Sequence, residues 1–288
     1  MFDTSLARAV QQFASGTLPV PDSELDREWA WGAYDSEGVR FAFFRTYEEL
    51  SELAAKTVAE RTVKGLGASA AHWILAQYHA AYRDLQAVLL GLGPNEVEQA
   101  PAEGEWPVRR VVAHIVGADL GFYVAVRYAL DRHSTGDGRP AEIPDEAWDT
   151  LLGQEVSSIE AILDGPLAGI QAYHQSLHER VLCEFAGISE EELAAPSTYW
   201  ESQEMSLRFR LHRFDSHLRQ HIIQIEKTRA AIGRPPSEAE RLLRLIYAAL
   251  AGAEGATIGA WDVGAEWRDE VAGGISARAD DIAGILAG

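Results

Sequence analysis

Between Ser69 and Ile232 apolar residues return at every third or fourth position along four long segments with few strand signals between them, a pattern that only packed helices satisfy. The first runs from about Ser69 to Gly91, with Ile74, Tyr78, Ala81, Leu85, Val88 and Leu92 on one stripe. The second follows Trp106-Pro107 and carries Val108, Val111, Val112, Ile115, Phe122 and Val126. The third spans about Pro166 to Phe185, and the fourth about Met205 to Ile232, stopped by Gly233 and Pro235-Pro236. A Gly/Pro/Asp-rich crossover from Ser134 to Pro144, with short helical pieces up to Leu163, separates the second segment from the third. The expectation is an all-α fold, a four-helix bundle with one long crossover.

The flanks differ from this central part. Residues 1–67 read as an N-terminal extension, 68–233 as the bundle, and 234–288 as a C-terminal helical extension packed on it. A short helix is expected over Thr4 to Ala14. Trp29-Ala-Trp31 and Val39-Arg-Phe-Ala-Phe-Phe44, with the turn-like Asp35-Ser-Glu-Gly38 between them, read as a small β-hairpin. Thr46-Tyr-Glu-Glu49 has capping-box spacing and opens a helix to about Lys64. Ser237-Glu-Ala-Glu240 is a second such box, and a last helix is expected near Ser276 to Leu286.

Nine histidines occur, and two pairs, His174/His178 and His217/His221, have the i,i+4 spacing that lets two helical side chains meet one ion. At about 100° per residue, His221 and His217 lie about 60° and 100° from the centre of the fourth helix's apolar stripe. His114 flanks the stripe of the second helix at about 100° and on the same rotational side, so the three imidazoles are expected at comparable depth. Three neutral imidazoles would bind a divalent ion and leave coordination positions open. Imidazole ligands suit zinc, nickel, iron or copper, with availability deciding among them, and zinc or nickel is expected first, then iron. Asp119 sits at the centre of the second helix's apolar stripe, where a bare carboxylate is expensive to bury. It is either a catalytic group beside the metal or a structural hydrogen-bond acceptor toward a neighbouring helix or tyrosine. His174 and His178 are the competing pair, with no evident third ligand on another helix.

Other groups carry weaker chemistry. Cys183 reads as a small core residue, and Trp106 and Trp200 as core or pocket-wall aromatics. Arg109, Arg110, Arg213 and Arg219 could meet an anionic substrate, although helical arginines are normally solvated or paired. The 288-residue chain has a net charge of −19, which repels nucleic-acid phosphates and anionic membranes. The longest near-apolar run, Leu245 to Ala253, is short for a membrane span, and a single cysteine permits no internal disulfide, so a cytoplasmic protein is expected.

The stretches Trp106-Pro-Val-Arg-Arg-Val-Val-Ala-His114-Ile-Val-Gly-Ala-Asp119 and Leu211-His-Arg-Phe-Asp-Ser-His217-Leu-Arg-Gln-His221-Ile-Ile-Gln224 resemble the DinB/YfiT-like superfamily of metal-dependent four-helix bundles. The resemblance covers roughly Ser69 to Gly233 and implies a metal held by His114, His217 and His221, with Trp106 and Gln224 also in agreement. It further implies a small-molecule substrate and, in some relatives, a low-molecular-weight thiol cosubstrate such as bacillithiol or mycothiol. In the related sulfoxide synthases a Glu commonly stands where this chain has Ile223, which argues against that branch. Thiol transfer to an electrophile is the first expectation and metal-assisted hydrolysis the second. A noncatalytic binding module is the alternative, favoured if Trp29, Trp261 or Trp267 forms an exposed apolar patch. The terminal extensions are candidates for a pocket wall or a homodimer interface.

Overall fold

Pro107, Pro144 and Pro166 each occupy a helix N-cap in the computed structural model, which describes residues 4–32, 38–199 and 203–287. A proline lacks an N–H where a helix start needs none, and its fixed φ suits the entry. In chain order the helices are α1 (Thr4–Thr17), α2 (Val39–Val63), α3 (Ala70–Val88), α4 (Pro94–Val97), α5 (Val108–Ser134), α6 (Asp145–Leu152), α7 (Val156–Leu163), α8 (Leu167–Phe185) and α9 (Glu190–Ala194). An antiparallel pair of two-residue strands follows, β1 (Pro196–Ser197) and β2 (Met205–Ser206), and then α10 (Leu207–Ala231), α11 (Glu238–Gly255) and α12 (Ala265–Ala287).

The chain divides into two compact units, one formed by Ala68–Ala81 and Gly93–Ile232, the other by Met1–Gly67, Tyr82–Leu92 and Gly233–Gly288. In the first, α5, α8, α10 and the N-terminal part of α3 make the four-helix bundle, and α6 and α7 lie in the long crossover between α5 and α8. Val108, Val111, Val112, Ile115, Phe122 and Val126 of α5 are buried together with Leu211, Phe214, Leu218 and Ile222 of α10. α5 is long and apolar enough to cross a membrane, but 67% of that stretch is buried in the fold, as suits a core helix. The strand pair is tied to α10 by Arg210, which is fully buried and donates to Ser197 Oγ at 3.1 Å, while Ser197 Oγ donates to the Met205 carbonyl. Gly121 of α5 leaves the space into which Tyr199 fits, since a Cβ there would meet the Tyr199 hydroxyl at 1.8 Å.

In the second unit α1 packs on α12 and α11, and α2 on α11 and α12. The two terminal segments, separate in the sequence, thus share one core, which includes Leu6, Phe13, Phe43, Leu50, Leu250 and Ile282. The capping box at Ser237 forms as expected: its hydroxyl accepts from the Glu240 N–H and the Glu240 carboxylate from the Ser237 N–H. Arg61 of α2 donates to the carbonyls of Ala256 and Ile258, satisfying groups that the end of α11 leaves open. Arg83 and the buried Glu254 form a bidentate ion pair.

Two expectations for residues 39–49 are overturned. Val39 to Phe44 is the first part of α2, not a hairpin strand, and Thr46 is a mid-helix residue whose hydroxyl donates to the Ala42 carbonyl rather than a cap. Val39, Ala42, Phe43, Thr46, Leu50 and Leu53 form one buried helical stripe, and that tertiary burial outweighs the β-preference of an aromatic run. Among the described residues, what remains of the hairpin is a bridge between Glu28 and Gly38. Most of the turn read at Asp35–Gly38, and Trp200, lie outside the described residues.

Candidate metal centre

Side chains four apart on a helix point the same way, and on α10 this brings His217 Nε2 and His221 Nε2 to 3.1 Å of each other. His114 comes from α5, the helix packed beside α10, with its ring centroid 5.1 Å from that of His217 and 4.7 Å from that of His221. One nitrogen from each of the three lies within 4.8 Å of the others. Two nitrogens bound to one ion at about 2.0–2.1 Å lie roughly 2.9–3.4 Å apart for right-angled to tetrahedral coordination, so the α10 pair already has ligand spacing. His114 is exposed, whereas His217 and His221 are buried, so the comparable depth expected of the three does not hold. As the exposed member, His114 has the room to adjust.

The electrostatics suit a cation. Burial, followed by the neighbouring His221, His114 and Arg213, pushes His217 down to about 3, and burial with His221 lowers His114. These rings therefore stay neutral at physiological pH with a lone pair to offer. His221 Nδ1 donates to Gln224 Oε1 at 2.8 Å, which leaves its Nε2 as the lone-pair nitrogen facing His217. His217 Nδ1 is buried with no hydrogen-bond partner among the described residues, so its ring is held by packing, in part against Phe122 at 5.7 Å. Trp106 lies edge-on to His114 at 5.2 Å. The donor set and its spacing fit a divalent transition metal.

Asp119 joins a different set of groups. Its Oδ2 accepts from the Tyr78 hydroxyl of α3 at 2.8 Å and from His174 Nε2 of α8 at 3.0 Å, and neither bond reaches His114, His217 or His221. The carboxyl is fully buried and its Oδ1 has no partner among the described residues, so burial pushes its pKa up against the opposing pull of His174 and Tyr78. His178 meets His79 of α3, Nε2 to Nδ1, at 2.9 Å, and packs on the Tyr78 ring at 4.6 Å. His174 and His178 thus do find partners on other helices, and these are core hydrogen bonds. Nothing in helical spacing singled out Tyr78 or His79 for this role. Cys183, read as a core residue, is exposed, because it lies off the buried stripe of Ile170, Leu177, Val181 and Phe185. The tryptophans that would have marked a docking patch are not exposed: Trp29 is buried, and Trp261 and Trp267 are half-buried.

A solved structure of YfiT from Bacillus subtilis, described as a probable metal-dependent hydrolase with an unusual four-helix bundle topology, is 20% identical, covers 56% of this chain and 86% of its own, and superposes with a TM-score of 0.43. No curated protein matches the chain by sequence. The sequence model of the DinB superfamily matches residues 77–225, just over half of the 288 residues and inclusive of all three clustered histidines. The chain belongs to the DinB superfamily.

Proposed function

We propose that this protein is a metal-dependent enzyme acting on a small molecule, with His114, His217 and His221 as the ligands of one divalent transition metal. The observation that carries the reading is the convergence of three imidazoles from two helices, two of them with Nε2 atoms 3.1 Å apart. A divalent ion held by three neutral imidazoles keeps coordination positions open and supplies the Lewis acidity that makes water or a thiol a nucleophile near neutral pH. The chain's own groups prepare for this. Burial keeps His217 unprotonated, Gln224 sets the tautomer of His221, and the exposed position of His114 leaves the cluster open to solvent and substrate on that side. Hydrolysis is the simplest outcome, since water needs no recognition site of its own, and thiol transfer is the comparison arm. We assign Asp119 a structural role in the bundle through Tyr78 and His174.

The test is metal content per chain by elemental analysis of tag-free protein. About one transition-metal ion is expected in wild type and markedly less in both His217→Ala and His114→Ala. Loaded protein is then assayed on an activated ester and on an electrophilic dye, with and without a low-molecular-weight thiol. A wild type that takes up no metal, or variants that load as well as it does, would overturn the reading. A rate that appears only with thiol would replace hydrolysis by transfer.

A further inference from the structure

Among the arginines near the clustered histidines in sequence, the structure separates Arg109, Arg110, Arg213 and Arg219 into two kinds. Arg109 is paired with Glu98 at 2.9 Å, and Arg219 with Asp215 at 2.6 Å. Arg110 and Arg213 have no ion pair with a carboxylate among the described residues, in a chain where 44 acidic residues face 25 basic ones. Each stands four residues before a clustered histidine, Arg110 before His114 on α5 and Arg213 before His217 on α10, so each lies one turn away on the same helix face. Each guanidinium lies over an aromatic ring that also touches that histidine. Arg110 is 4.7 Å from the centroid of Trp106, itself 5.2 Å from His114, and Arg213 is 5.7 Å from Phe122, itself 5.7 Å from His217. Arg213 Nη1 donates to Ser216 Oγ at 3.3 Å, whereas its Nε is buried with no partner among the described residues.

A cation beside histidines that could hold a metal is unfavourable unless something negative comes between them, and among the described residues no carboxylate pairs with Arg110 or Arg213. A guanidinium over an aromatic ring keeps its N–H groups at its edge, and those of Arg110, and of Arg213 beyond its bond to Ser216, can meet a carboxylate or phosphate with two parallel hydrogen bonds. We propose that Arg110 and Arg213 form an oxyanion-binding pair flanking the three histidines, so that the substrate is a small organic acid whose carboxylate or phosphate is held by these arginines while its electrophilic bond faces the histidine cluster. The proposal builds on the metal-enzyme reading above. One helical turn is about 5.4 Å, which puts the anionic group only a few bonds from the reacting bond.

The test is calorimetric titration of metal-free and Zn(II)-loaded protein with succinate, inorganic phosphate and succinamide, the neutral analogue of succinate. Saturable binding of succinate or phosphate is expected, with succinamide at least about tenfold weaker, and whichever anion binds more tightly identifies the group recognised. Arg110→Met and Arg213→Met, which keep an apolar stem over the ring, should each weaken anion binding about 10- to 100-fold, the usual range for a charge-assisted hydrogen bond. Arg213→Lys should restore part of the loss, and Arg109→Met and Arg219→Met, whose guanidiniums are already paired, should bind as wild type does. Unchanged affinity in both Arg110→Met and Arg213→Met, an equal loss in the two controls, or no saturable anion binding by wild type would overturn the proposal. Metal content is measured on each variant. Arginine-dependent binding to a protein that takes up no metal would uphold the pair and sink the metal reading, and a metal-loaded protein indifferent to the arginine changes would do the reverse.

Discussion

The hydrogen bond from His221 Nδ1 to Gln224 Oε1 decides which nitrogen of that ring carries a lone pair, and so whether the ring can bind a metal through Nε2. Gln224→Ala frees the imidazole to take either tautomer and removes its orientation, so metal affinity measured by competition with a chelating dye should fall about tenfold or more. Gln224→Glu puts a carboxylate on the same N–H, raises the ring's basicity and should tighten binding. Equal affinity in all three proteins would mean that packing alone orients His221. Residues of this kind were partly legible beforehand. The i,i+4 spacing of His217 and His221 and the rotational phase of His114 follow from helix geometry, and the structure brings the three together. Their depths did not follow, because phase tells which side of a helix a residue occupies and not how far neighbouring elements cover it. Asp119 shows the same limit: its burial could be read from its place in an apolar stripe, whereas its partners lie 41 and 55 residues away in sequence.

At the level of elements, the bundle helices were legible because each has an unbroken apolar stripe and a chemical start or stop, such as Pro107 before α5 and Gly233 after α10. The start of α2 was not. Its aromatic run favours a strand locally, and only the continuation of the buried stripe through Leu50 and Leu53 shows that a helix buries more. The Tyr78–Asp119–His174 chain joins three bundle helices, α3, α5 and α8, through one carboxyl oxygen. Asp119→Ala removes the acceptor that both bonds share and should destabilise the protein by about 2–4 kcal/mol in urea unfolding, at about 1–3 kcal/mol for each buried donor that loses this acceptor. Asp119→Asn retains an acceptor oxygen and no longer requires burial of an ionisable group, so its effect should be about 1 kcal/mol or less. Both variants should keep wild-type metal content. Metal lost from Asp119→Asn with stability intact would instead tie this carboxyl to the histidine cluster.

For the whole molecule, a net charge of −19 produces a negative potential that draws divalent cations toward the surface and repels organic anions. Arg110 and Arg213 act against that field only locally, one helical turn from the histidines. Salt distinguishes the two ranges, because the Debye length shrinks from about 30 Å at 0.01 M to about 10 Å at 0.1 M, leaving short contacts in place while removing the distant charges. The association rate of Co(II), followed by stopped-flow quenching of tryptophan fluorescence, should therefore fall several-fold between about 0.01 M and 0.3 M salt. The association rate of succinate should rise over the same range, as long-range repulsion is screened before the arginine contacts are. If instead the succinate rate falls and the Co(II) rate rises with salt, the field at the mouth of the site is positive, and the two arginines outweigh the rest of the chain at the distances from which a ligand approaches. If neither changes, the charges around the site cancel locally, and encounter with both ligands is governed by diffusion alone.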